Sequence, residues 1–65
     1  MSDHPDRIIR IKAVLAMTGM SRATLYRKIG AGTFPHQINI ADRCVGWRQS
    51  AVSEWIRDPK GYRAA

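Results

Sequence analysis

The sequence predicts a mainly α domain with a small β-hairpin, arranged as a winged helix-turn-helix, and three observations carry that expectation. Two helical periods meet at Thr18-Gly19-Met20-Ser21, where a glycine can end one helix and a serine can cap the next. Two β-prone stretches follow the second helix, and a third helical period closes the unit. At 65 residues the chain has room for one domain, and a domain of this size buries only ~60% of the surface its unfolded chain exposes. No internal repeat, low-complexity stretch or linker divides the sequence. The winged helix-turn-helix domain is expected over residues 7–58, with 1–6 a flexible N-terminal segment and 59–65 a C-terminal tail.

Taken in order, Arg7-Ile8-Ile9-Arg10 is a short β-branched stretch that opens the fold as a strand or an extended lead-in. Ile11, Val14, Leu15 and Thr18 recur at i, i+3, i+4 and i+7, one face of a helix over residues 12–17. Gly19 stands where a left-handed C-cap is needed, because a residue without Cβ adopts it freely. Ser21 can accept a hydrogen bond from a free N–H of a second helix, with Met20 packed inward before it. That helix is expected to run to Ile29. Leu25 and Ile29 face the first helix, whereas Ala23, Thr24 and Arg27 lie on the opposite arc, flanked by Arg22 and Lys28. Gly30-Ala31-Gly32 ends it ahead of Phe34-Pro35.

The period then changes. Residues 34–40 and 43–47 are β-prone and joined by Ala41-Asp42, which predicts a small hairpin without a strong Asn-Gly or Asp-Gly turn. A last helix over 49–57 places Val52, Trp55 and Ile56 inward, and Asp58-Pro59 stops it. Residues 61–65 are expected as a loose tail. Phe34, Trp47 and Trp55 read as core rather than as stacking platforms for single strands, because so small a domain needs their apolar area. Cys44 reads as a small buried hydrophobe. Arg48 either meets a phosphate or covers the tryptophans with its stem.

Eleven Lys and Arg against five Asp and Glu give a net charge of +6. That excess favours a polyanionic partner, because protein cations that neutralise phosphates release condensed counterions. The basic residues are spread over several elements rather than along one amphipathic helix, which argues against a membrane surface. No apolar run approaches the ~20 residues that span a bilayer, and the polar opening Met1-Ser2-Asp3-His4-Pro5-Asp6 lacks a signal-type apolar stretch. A cytoplasmic protein is expected. One cysteine, Cys44, and two distant histidines, His4 and His36, make neither a disulfide nor a zinc set, so no metal, cofactor or small-molecule ligand is expected. The sequence has no nucleophile elbow, phosphate-cradling loop or suitably spaced acid pair, so it does not read as an enzyme.

Two helices joined by a short glycine-containing turn, the second basic on its outer face, make a helix-turn-helix. Its second helix fits the major groove of double-stranded DNA. Arg22 and Arg27 are the expected base readers, since a guanidinium can donate two hydrogen bonds to guanine O6 and N7. Ser21 lies at the helix N-terminus, which can face a phosphate, and Thr24 reaches a base or a thymine methyl. Tyr26 and Lys28 are placed for phosphates, although Tyr26 reads equally as a largely core ring with its hydroxyl at the edge. Arg43, at the hairpin tip, is the candidate for the adjacent minor groove. His36 and Gln37 are weaker wing candidates, and with Asp42 beside Arg43 the tip reads alternatively as a simple turn former.

In order along the chain, Arg7-Ile8-Ile9-Arg10-Ile11-Lys12, Val14, Thr18-Gly19-Met20-Ser21-Arg22, Thr24-Leu25-Tyr26-Arg27, Phe34-Pro35, and Val45-Gly46-Trp47-Arg48 with Trp55-Ile56 resemble the AlpA family of prophage regulators over residues 7–57. The resemblance implies a winged helix-turn-helix like that of MerR domains and phage excisionases. It also implies a DNA-binding transcription regulator of a prophage or other mobile element, often acting on the integrase gene. Leu15 stands where many such motifs have a small residue and Lys28 where the second helix often has an apolar one, so a slightly different helix crossing is expected. The alternatives are an excisionase-type factor that bends DNA and, from another class, a protein-interaction module such as an anti-repressor, which an exposed Trp55 would favour. One small module covers only about 600–1,000 Å² of protein surface at DNA and no heptad helix is present. A monomer in solution that self-associates on adjacent DNA sites is therefore expected.

Overall fold

The computed structural model describes residues 6–64. In chain order the elements are β1 (Ile8–Ile9), α1 (Ile11–Thr18), α2 (Arg22–Gly30), β2 (Ile38–Ala41), β3 (Cys44–Arg48) and α3 (Gln49–Arg57). What the sequence reads as a helical domain with a hairpin is thus three helices and a three-stranded antiparallel sheet, ordered β1-β3-β2. β1 pairs with β3 through Ile8 with Arg48 and Ile9 with Trp47. The extended lead-in becomes a strand because β3 offers it a free edge, and the Gln49 N–H donating to the Arg7 carbonyl at 2.7 Å extends the join into α3.

The hairpin differs from expectation in two respects. Its first strand begins at Ile38, four residues later than the β-prone stretch, because Phe34 and Pro35 are buried in the core instead of pairing. Its turn is Asp42-Arg43 rather than Ala41-Asp42, and the ladder is irregular between Asn39 and Ala41.

Ile9, Val14, Leu25, Phe34, Trp47, Val52 and Trp55 form the buried core. Ile11, Leu15, Met20, Ile29, Val45 and Tyr62 pack around it. Both indoles satisfy their polar edge on one loop: Trp47 Nε1 donates to the Pro35 carbonyl at 3.1 Å and Trp55 Nε1 to the Thr33 carbonyl at 2.9 Å. Phe34 lies between these acceptors and meets Trp55 edge-on, with ring centroids 5.0 Å apart. The segment leading from α2 to the sheet is therefore fixed by the two largest side chains in the protein. Cys44 is half-buried rather than fully buried.

Ile56, expected inward, is 40% exposed. The buried line of α3 runs through Val52 and Trp55 and leans toward half-buried Ala51, which leaves Ile56 at the rim. The expected loose tail is anchored: Tyr62 packs on the core, its N–H donates to the Asp58 carbonyl at 3.0 Å, and the Ala64 N–H donates to the Gly32 carbonyl at 2.8 Å. Asp6, expected in a flexible segment, caps α3 from the far end of the chain. It accepts from the Ser50 amide at 3.1 Å and the Ser50 hydroxyl at 2.7 Å, and its carboxylate lies 3.8 Å from Arg48. The rest of that segment, residues 1–5, and the tail's last residue, Ala65, lie outside the described residues.

Candidate nucleic-acid interface

The turn between α1 and α2 is built by three side-chain and backbone devices. Gly19 takes the left-handed conformation with φ 74°, and its N–H donates to the Leu15 carbonyl at 2.8 Å. Thr18 folds its hydroxyl back onto the Val14 carbonyl at 2.9 Å and accepts from the Met20 amide at 3.4 Å. Ser21, extended at φ −78° and ψ 161°, accepts the Thr24 N–H at 3.2 Å on its hydroxyl oxygen. The Ser21 hydroxyl donates in turn to Thr24 Oγ1 at 3.0 Å. One first-turn amide is thus capped from within the chain, and the amides of Arg22 and Ala23 belong to the first turn that an α-helix leaves unpaired.

α1 and α3 pack on β3. α2 joins the core through Leu25, which is fully buried, and Ile29, which is half-buried. Its exposed residues are Arg22, Ala23, Tyr26, Arg27 and Gly30, at i, i+1, i+4, i+5 and i+8, one continuous face. Tyr26, 39% exposed, stands on this face between the two arginines. Thr24 and Lys28, expected on or beside the outer arc, are instead half-buried at its margin. Thr24 is tied to the exposed Ser21 cap. The Lys28 carbonyl accepts both the Thr33 amide at 2.9 Å and the Thr33 hydroxyl at 3.2 Å, which pins the end of the helix to the loop carrying Phe34.

No acid occurs in α1 or α2. The one ion pair among the described residues is Arg48 with Asp6, so Arg22 and Arg27 keep their donors for an external acceptor. Ala23 and Gly30 are the two small residues of the face, Ala23 beside Arg22 and Gly30 beyond Tyr26 and Arg27.

Six of the seven sequence-predicted site residues, Ser21, Arg22, Thr24, Tyr26, Arg27 and Lys28, are brought together on this helix and its cap. The seventh, Arg43, sits on a separate element, the β2–β3 turn. It is exposed and has φ 57°, the one positive value at a non-glycine residue among those described. A left-handed L-residue costs roughly 1–2 kcal/mol, and glycine or asparagine would relieve the strain. His36 and Gln37 are exposed on the segment before β2.

Asp6 is the residue that sequence reading missed. The Ser50 hydroxyl and then the Ser50 amide hold its carboxyl below its ordinary value, with smaller help from the Arg7 amide and the Arg48 charge. Its only sequence signal is an acid at the start of the chain, with no local helix to cap.

A groove of about 380 Å³ lined by Glu54, Arg57, Asp58, Gly61 and Tyr62 shares no residue with α2. Among the described residues no group of three His, Cys, Asp or Glu is placed to hold a metal ion, and no helix is long and apolar enough to cross a membrane.

Comparison with known proteins places the chain. The family described as "Prophage CP4-57 regulatory protein (AlpA)" matches residues 7–60. The uncharacterized protein ORF88 of Enterobacteria phage P4 is 35% identical over 51 residues, covering 78% of this chain and 58% of that protein, so the chain spans less than two thirds of its length. The DNA-binding transcriptional activator AlpA of Escherichia coli (strain K12) is 36% identical over 56 residues, covering 77% of this chain and 80% of that protein. No solved structure gives a significant match.

Proposed function

The chain belongs to the AlpA family of prophage regulatory proteins, and from that premise we propose that it is a winged helix-turn-helix regulator of transcription that binds specific double-stranded DNA of a prophage or other mobile element. The observation that carries this reading is the outer face of α2: Arg22, Tyr26 and Arg27 exposed side by side, no acid on either helix, and small residues between and beyond them.

In this mechanism α2 lies in the major groove. Arg22 and Arg27 are five residues apart, about 7.5 Å along the helix axis and roughly 140° around it, so they reach from opposite margins of the face toward separate guanines. Tyr26, between them, offers its hydroxyl to a backbone phosphate. The helix N-terminus at Ser21 faces a phosphate through its first-turn amides. Thr24 Oγ1 already accepts from Ser21, which leaves its own hydroxyl hydrogen to donate to the DNA. Lys28, at the margin of the face, meets a phosphate and not a base. The β2–β3 hairpin is the wing, and Arg43 at its tip enters the adjacent minor groove; its strained backbone is what a residue kept for its side chain would show. The protein acts in the cytoplasm, on the integrase gene of its own element.

The test is a pull-down of fragmented source-genome DNA at about 0.15 M salt, where nonspecific phosphate attraction is weakened. Enrichment of a few fragments, a promoter of an integrase gene among them, is the expected result; enrichment of attachment-site repeats alone would make the protein an architectural factor. On an enriched site, Arg22→Ala or Arg27→Ala should lose about 1–3 kcal/mol and relax base preference, whereas Lys28→Ala should weaken all duplexes alike and flatten the salt slope by about one unit. Site preference unchanged in both arginine variants would refute the groove assignment.

A further inference from the structure

The side of the sheet turned away from the core carries an apolar row of its own. Residues paired across antiparallel strands share a face, and neighbours along a strand alternate. Ile9 and its partner Trp47 are buried, so Ile8, Arg48 and Gly46 face outward, and so does Ile38, the partner of Gly46. Ile8 is 43% exposed and Ile40 46%. A Cβ at Gly46 would fall 2.6 Å from Ile8 Cγ2 and 2.7 Å from Ile40 Cδ1. Isoleucines from the two edge strands therefore close over the glycine and form one continuous ridge instead of two scattered side chains. At the edge of the ridge stand one acid and one base, Asp6 and Arg48, 3.8 Å apart and both partly exposed.

We propose that this face, the ridge of Ile8, Ile38 and Ile40 over Gly46 with Asp6 and Arg48 at its rim, is where a second copy of the chain docks when two copies occupy neighbouring DNA sites. The inference rests on the DNA-binding reading above. Isolated exposed apolar side chains are ordinary; a contiguous apolar strip of this small size offers a second contact that matters only where something else brings the copies together. The rim identifies the occupant. A two-fold contact sets a patch against itself, so each charge must find its opposite on an identical surface; one acid and one base satisfy that condition, whereas an acidic partner would leave Asp6 opposed by like charge. The area identifies the circumstance. Three isoleucines supply a small part of the ~800 Å² per partner of a stable interface, and a charge of +6 on each copy opposes association in free solution. On DNA the phosphates offset that charge, and tethering raises the effective concentration to about the millimolar range.

The experiment begins with a duplex sequence selected from a random library by the full chain. Duplexes carrying one or two copies of that sequence are then titrated, with the centre spacing stepped through one helical turn. At a favoured spacing the second copy should bind roughly tenfold more tightly than a lone copy binds a single site. Ile8→Thr and Ile40→Thr, which keep a β-branched residue in each strand, should abolish that gain and leave single-site affinity unchanged. Independent occupancy at every spacing, or a gain that survives both substitutions, would overturn the docking face and leave the DNA reading intact. Failure to select any sequence would overturn the DNA reading and this inference with it.

Discussion

Replacing Gly46 with alanine tests the sheet geometry directly. Gly46 is not among the residues with positive φ, so what requires glycine there is space. The added Cβ would fall 2.6 Å from Ile8 Cγ2, 2.7 Å from Ile40 Cδ1 and 2.9 Å from the Ile9 carbonyl oxygen. Ile40 Cδ1 is the end of an exposed side chain and can swing aside, whereas Ile8 Cγ2 is a branch methyl that moves only by turning a stiff χ1. The third is backbone, so β1 must move away from β3, loosening the Ile9–Trp47 pairing beneath it. Overpacking of this kind costs about 1–3 kcal/mol, and alanine returns about 0.5–1 kcal/mol by losing less backbone freedom than glycine. The net expectation is a loss of roughly 1–2 kcal/mol, a fall in Tm of about 5–15 °C for a domain of this size. Thermal unfolding followed by the fluorescence of Trp47 and Trp55 measures it. Gly19→Ala is the matched control: φ is 74° and nothing lies within 4 Å of the added Cβ, so its cost is conformational only. Asparagine, which visits the left-handed region more readily than alanine, should therefore be milder than alanine at Gly19 and harsher at Gly46. Wild-type Tm in Gly46→Ala, or asparagine milder than alanine at Gly46, would refute the steric account.

Trp55→Phe removes the donor to the Thr33 carbonyl and leaves a gap beside Phe34; a loss of roughly 2 kcal/mol is expected from the urea midpoint, and a change under about 0.5 kcal/mol would contradict the role given to that bond. Asp6 carries a pH signature. Its folded-state carboxyl is lowered from 3.8, so its contribution to stability is fully present above that value and fades as pH falls below it through the folded-state value. Asp6→Ala should flatten this part of the acid limb in unfolding curves taken from pH 5 downward, and an acid limb identical to wild type would contradict the cap.

What was legible in the sequence is what local chemistry decides. The α1–α2 turn could be read because Gly19 and Ser21 each solve a helix-end problem within three residues of themselves. The aromatic core could be read because Trp47 and Trp55 are the two largest side chains and Phe34 is the one wholly apolar aromatic ring in the chain. Long-range joins could not. The β-branched run at Ile8-Ile9 reads as a strand or extended lead-in, but its partner does not: β1 has two residues and pairs because β3 accepts it. The hold of Asp6 on Ser50 spans 44 positions, and the tail is fixed by the Gly32 carbonyl. The orientation of α2 was partly legible. Leu25 and Ile29 correctly mark its inner side, but the helix is turned so that Thr24 and Lys28 are half-buried and Tyr26, and not Thr24, joins the arginines.

That rotation bears on how stability and binding divide in so small a domain. α2 is secured at its ends: by the Gly19 and Ser21 caps where it starts, and by the Lys28–Thr33 bonds where it stops. Between the ends, only Leu25 is fully buried. The rest of the buried core comes from Ile9, Val14, Phe34, Trp47, Val52 and Trp55, and both indole donors are satisfied on the Phe34 loop. Arg22, Tyr26 and Arg27 are consequently free of duty to the core, and the two arginines can be exchanged with a stability change within about 0.5 kcal/mol, as for other exposed positions away from special contacts. On the function proposed above, what α2 recognises can be altered without repacking what holds it. The same separation makes loss of binding in Arg22→Ala or Arg27→Ala interpretable as loss of contact with DNA, provided the unfolding curve is unmoved.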